Sequence, residues 1–364
     1  PAAPRLFQGS QGRGGRERMG ADSIRTLDVG SPAGRSTRRP VAGLATWLFR
    51  TQEGVLLLVL LALCVALSRL SPVFASERNV FVLLSQISLT MITAVGMTLL
   101  IVGREVDLSV GSMQAFVGVV AMQTLNATSS LVAGLAVALL AGVVVGLVNA
   151  GLTLGLRINS FIVTLAMLTI LRGLAYTFTD AAVQNAHNLE AFRAIGIGFI
   201  AQIPGIGRIP WPVVITAAVF AAFALLLTQT TIGRYVYAVG GNPRAAELSG
   251  VSVWGVKTFC FVVTSVLAAV SAFILIARLN SGQNNAGFGF ELQVIGAVLL
   301  GGASLAGGQG TLVGTLLAVL LLGTLNNGII LLGIDSSWQL AVNGLIILVA
   351  VLLDARRRRA LGQE

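Results

Sequence analysis

The chain has 364 residues, of which 55% are hydrophobic and 10% charged, with 43 glycines and a mean hydropathy of +0.88. A soluble domain carries roughly a quarter charged residues to cover its exterior, so a soluble enzyme is excluded, and so are a disordered chain and a coiled coil. The net charge of +10 does not indicate a nucleic-acid partner, because it sits at the ends: nine arginines against Glu17, Asp22 and Asp28 in residues 1–50, and Arg356 to Arg359 near the C-terminus. Basic ends on an apolar body are expected of the cytoplasmic flanks of a membrane protein.

Residues 1–45 are Gly/Ser/Arg-rich without apolar periodicity and read as a disordered basic cytoplasmic leader, with Met19 as a candidate start. No apolar core with a small-residue cleavage site precedes the first apolar run, so that run is expected to be an anchor and not a signal peptide. Ten runs follow, near 54–70, 80–103, 108–125, 131–154, 160–179, 211–228, 257–277, 292–306, 311–333 and 337–353. At about 20 residues per span, they predict an all-α integral membrane protein of about ten transmembrane helices. The membrane domain is expected at 46–355, with a basic cytoplasmic tail at 356–364. Glycines interrupt 108–125 and 292–306, so a broken or re-entrant helix is expected at either. With both termini cytoplasmic, counting inward puts Arg157 and the 229–256 loop inside. The 180–210 loop, with Asp180, His187, Glu190 and Arg193, then falls outside.

The runs contain an internal echo. Glu105-Val106-Asp107 and Glu291-Leu292-Gln293 each open a Gly-rich apolar run, and GLVNAG (146–151) is matched by GTLNNG (323–328). Asn149 lies 12 residues before Phe161, and Asn326 lies 12 before Trp338. Three matches in the same order indicate a duplication of spans two to five in spans seven to ten. An offset of five spans inverts the second copy, as in transporters with a central pathway.

Enzymatic motifs are missing. A P-loop needs a lysine directly after its second glycine, and Lys257, the only lysine, follows Val256. ATP-derived energy must therefore come from another subunit, and no cofactor is expected. One histidine, His187, and two separated cysteines, Cys64 and Cys260, cannot build a zinc site. His187 reads as a solvated loop residue and the cysteines as small hydrophobes.

Two segments carry chemistry. In VGREVDLSVGSMQAFVG (102–118), Glu105, Asp107 and Ser109 stand at the mouth of a membrane helix. They either cap that helix or line a polar pathway, since exposing carboxylates to lipid is costly. Asn149 and Asn326, inside apolar runs, either bridge helices or face the same pathway. In TTIGRYVYAVGGNPRAAELSGVSVWGVK (230–257), Gly240, Gly241, Asn242 and Pro243 form a turn and helix start. Ala245, Ala246, Leu248, Ser249 and Gly250 follow as a short small-residue helix, in a loop long enough to dock a partner.

At EVDLSVGS (105–112), SFIVTLAMLTILRG (160–173), GRYVYAVGGNPRAAELSG (233–250), LGGASLAGGQGTLVGT (300–315) and SWQLAVNGLIILVAVLLD (337–354), the chain resembles the permease subunits of bacterial ABC sugar importers of the ribose/xylose/arabinose type. The resemblance spans about residues 50–354; Val106 and Arg104 depart from its usual isoleucine and small residue. It implies a homodimer in the bacterial cell membrane, resting on ATP-binding cassette subunits and fed a xylose- or ribose-like monosaccharide by an extracytoplasmic binding protein. Gly240 to Gly250 would be the ATPase-coupling loop, and Asp107 and Ser109 would belong to the pathway side. The alternatives are an ion-coupled secondary carrier, which would need ionisable residues deep in its spans, or a related permease for a non-sugar solute.

Overall fold

The computed structural model describes residues 51–187, 190–203, 207–335 and 337–360. The leader expected at 1–45 lies outside the described residues. A helix stands on each of the ten apolar runs: α1 Gln52–Leu70, α2 Glu77–Val102, α3 Val110–Thr128, α4 Leu131–Ala150, α5 Ser160–Thr177, then α6 Glu190–Ile197 in the 180–210 loop, and α7 Trp211–Gln229. In the next loop lie α8 Thr231–Gly241 and α9 Pro243–Leu248, followed by α10 Val253–Leu279, α11 Phe290–Leu300, α12 Leu312–Leu331 and α13 Ser337–Ala360. Among the described residues seven helices are long and apolar enough to cross a membrane, while α11 and the apolar part of α13 are shorter.

The helix starts are written in single polar residues. Thr51, Ser76, Ser130, Asn159, Thr230, Asn242, Ser252 and Thr311 each stand just before a helix, and each side chain accepts from a backbone N–H two or three residues on. Such caps satisfy donors that a helix leaves open and that hydrocarbon would leave unpaired. Of the two glycine-interrupted runs, 108–125 forms the continuous α3, and 292–306 breaks. There α11 has 11 residues and gives way to a non-helical segment, 301–311. The end of α4 loosens into a π-turn at Gly151–Gly155. At the C-terminus, helix α13 continues to Ala360 through most of the stretch expected to form a tail.

The long α10 is the hub and packs on α2, α3 and α4. Glycines permit this closeness: a Cβ at Gly96 would come within 2.7 Å of the Thr264 Cα, and one at Gly146 within 2.7 Å of the Val262 Cα. In a bilayer, where lipid is as apolar as leucine, such backbone-to-backbone packing is a main source of helix association. The contacts repeat across the chain. Helix α3 packs on α4 and α5 as α11 packs on α12 and α13, and α4 lies against α10 as α12 lies against α2. That is the pairing expected of the duplication read from Asn149 and Asn326.

One end of the bundle gathers the start of α1, the ends of α2 and α11, and α8–α9. Gln52 donates to the Leu300 carbonyl (2.9 Å), Tyr237 Oη to the Gly310 carbonyl (2.8 Å) and Gly308 N to the Val102 carbonyl (2.8 Å). The opposite end carries the described residues of the 180–210 segment, which form α6 and three short strands. Strand β1 (Gln184–Asn185) pairs antiparallel with β4 (Ser281–Gly282), and β2 (Phe199–Ile203) pairs with β3 (Gly207–Pro210). Phe192 of α6 is fully buried and meets Phe273 edge-on at 5.5 Å.

Candidate functional site

At the α8–α9 end, Gly240 and Gly241 close α8, and Asn242 starts α9 by accepting from the Ala245 N–H at 3.0 Å, with Pro243 in the first helical position. Gly250 ends the unit at φ +85°, a left-handed conformation that favours glycine. Gly240 sits against the Val102 carbonyl, where any Cβ would collide. The small residues of this expected docking helix do not all face outward: Ala246 is buried in the chain's own packing. The exposed face is Ala245, Leu248 and Ser249 beside the Arg244–Glu247 ion pair. Leu248 is 76% exposed and Trp254, just beyond, 57%.

Three of the four expected pathway residues come together in a closed cluster near that end. Asp107, Ser109 and Asn149 are fully buried. Asp107 Oδ1 accepts from the Ser109 N–H (2.7 Å) and hydroxyl, and Asn149 Nδ2 donates to Asp107 Oδ2 (3.2 Å) and to Ser109 Oγ (3.1 Å). Burial pushes the Asp107 carboxyl above the usual carboxylate range, and the bonds from Ser109 and Asn149 pull it back. The cluster fastens the 103–109 segment to the end of α4. Beside it, Lys257 pairs with Glu105, a contact that spacing in sequence does not announce.

Asn326 is elsewhere. It lines a cavity of about 500 Å³ together with Gln86, Thr90, Gln114, Gln293, Gln339 and Asn343, beside Phe288, Phe290 and Arg278. Gln114 is tied to Ser271 Oγ at 3.2 Å, and Ser271 Oγ in turn donates to the Leu89 carbonyl at 3.0 Å. Asn326 Oδ1 and Asn343 Oδ1 are buried without a hydrogen-bond partner among the described residues. The helix-bridging role falls to the next residue, Asn327, which exchanges two 3.0 Å amide bonds with Asn79 of α2. Arg172 of α5 donates to the Asn284 carbonyl (3.1 Å) and to that of Ala286, holding the segment that leads into α11. The signal for the cavity was present in the sequence as amides within apolar runs, but their direction was not.

An amide-lined cavity between apolar helices that repeat their packing is the build of a multi-pass transport permease. The family model described as branched-chain amino acid transport system / permease component matches residues 79–351, and the chain belongs to this family. It is 41% identical over 315 residues to the ribose import permease protein RbsC of Escherichia coli (strain K12), covering 86% of this chain and 95% of that protein. It is 38% identical over 310 residues to RbsC of Bacillus subtilis (strain 168), covering 82% and 91%. With the L-arabinose transport system permease protein AraH of Escherichia coli (strain K12) the identity is 39% over 305 residues, covering 84% and 91%. No solved structure matches the chain.

Proposed function

We propose that this chain is the membrane-spanning permease subunit of an ATP-driven importer, translocating a monosaccharide of the ribose or arabinose kind handed over by an extracytoplasmic binding protein. The observation that carries the reading is the near-full-length likeness to permeases named for ribose and L-arabinose import. ATP hydrolysis belongs to a separate cassette subunit, which docks on the Gly240–Gly250 unit. Two copies of the chain associate in the bacterial inner membrane with both termini cytoplasmic, so that α8–α9 face the cassette and the 180–210 cap faces the binding protein. The exposed Leu248 and Trp254 support the docking surface, because burying a leucine at an interface contributes roughly 1.5–3 kcal/mol.

Leu248→Glu is expected to lower cassette co-purification by about tenfold or more, the equivalent of roughly 1.4 kcal/mol, while the permease itself inserts and folds. Uptake of D-ribose or L-arabinose by cells expressing the chain with its cassette and binding protein tests the whole reading. Uptake that survives ATP depletion and stops when ion gradients are collapsed would replace the importer with an ion-coupled carrier.

A further inference from the structure

We propose that the amide-lined chamber is a sugar-holding site inside the permease, in which Gln86, Gln293, Asn326, Gln339 and Asn343 hydrogen-bond a neutral polyhydroxylated ring in passage. The inference rests on the importer reading above. Each of these five amides lies on an apolar helix of the bundle, and none has a side-chain hydrogen bond among the described residues. An amide that faces neither protein nor lipid headgroups must be met by water or by cargo, because leaving it unpaired in an apolar setting is costly. Five such groups converging on one cavity form a lining built to bind something polar.

The chemistry of the lining selects the cargo. Every amide offers both a donor and an acceptor, which is also what each sugar hydroxyl offers. No carboxylate, lysine or histidine lines the chamber among the described residues, and its one charge is Arg278. An amino acid zwitterion or a cation would meet no counter-charge for its ammonium group. Phe288 and Phe290 supply apolar faces for the C–H side of a ring. The volume of about 500 Å³ lies within the range of small-molecule sites, roughly 300–1,000 Å³.

Position and construction point the same way. Arg278 borders both the chamber and a wider vestibule of about 820 Å³ at the capped end, lined by Ser76, Gly196, Phe199 and Arg208. Its side chain has no hydrogen bond or ion pair among the described residues, so its guanidinium is free to guide cargo from one space to the other. The five amides come from α2, α11, α12 and α13, so a shift of any one helix dismantles the set. A site that must release what it holds is well served by that arrangement.

The test is sugar protection of engineered cysteines. In a Cys64→Ala, Cys260→Ala background, Asn343→Cys and Gln86→Cys are placed separately on two helices, with Leu248→Cys as the control. Permease–cassette complexes in proteoliposomes are treated with a charged methanethiosulfonate reagent, with and without near-molar D-ribose or L-arabinose. One of the two sugars should slow labelling of the chamber cysteines by about threefold or more, as expected when two-thirds of sites are filled. Glycine at equal concentration should not, and Leu248→Cys should be indifferent to all three. Normal cellular uptake with unprotected chamber cysteines overturns the chamber and leaves the importer standing. Absence of uptake of either sugar by the unsubstituted complex overturns the importer reading and the chamber with it. If one variant fails to fold, the other decides between the same two outcomes.

Discussion

The two copies of the repeat treat their matching asparagines in opposite ways. In the first copy Asn149 is fully buried and spends its amide N–H groups on Asp107 and Ser109. In the second, Asn326 lines a chamber and its side chain has no hydrogen bond among the described residues, while its neighbour Asn327 ties α12 to α2. The inverted arrangement places the first site towards the α8–α9 end and the second towards the capped end. One backbone plan therefore carries a polar lock at one end and an open polar chamber at the other. Duplication supplies the frame, and a few side chains make one site a closed hydrogen-bonded cluster and the other a cavity lined by amides.

The sharpest way to break this comparison is Asn149→Leu. It strands the buried Asp107 Oδ2 and should destabilise the detergent-solubilised permease by about 3 kcal/mol, the upper end of the roughly 1–3 kcal/mol that an unsatisfied buried polar group costs. The thermal midpoint reads this directly, and an unchanged midpoint would mean that the cluster holds nothing. Next in size is the Asn79–Asn327 pair. Single leucine substitutions should each cost about 1–2 kcal/mol, and the double variant hardly more than either single one, leaving a coupling of about 1 kcal/mol. Strict additivity would dissolve the bridge. The smallest effect on stability belongs to Asn326→Leu, expected within about 0.5 kcal/mol because no partner is lost. Its uptake should nonetheless fall. If Asn326→Leu destabilised as strongly as Asn149→Leu, the two asparagines would share one role and the contrast would fail.

Much of the frame was legible in the residue order. Uncharged runs near the thickness of a bilayer leave the backbone little choice but helix, and Thr, Ser or Asn before most of them marks the start. The Gly-Gly-Asn-Pro turn announced α9, and the echo of Asn149 in Asn326 announced the duplication. What residue order cannot supply is the rotation of each helix about its axis, which packing alone sets. Ala246 turned inward for that reason, and Asn326 and Asn327, adjacent in sequence, turned to different surroundings. The folded cap at 180–210 was missed because its anchor, Phe192 against Phe273, joins residues far apart in the chain. Glu105 and Lys257 likewise meet across 152 positions.

The Asn79–Asn327 pair has a consequence for how the protein is made. Its two amides are separated by 248 residues, an interval a ribosome needs roughly 12 to 50 s to cover at about 5–20 residues per second. For that time α2 waits in the bilayer with its amide missing its interhelical partner, along with Thr98, whose hydroxyl contact is Thr315 of the same late helix. Until α12 arrives, the early helices lack the partners that these polar groups have in the finished fold. A chain that stalls before residue 327 leaves the Asn79 amide without the partner across the bundle that the finished permease supplies.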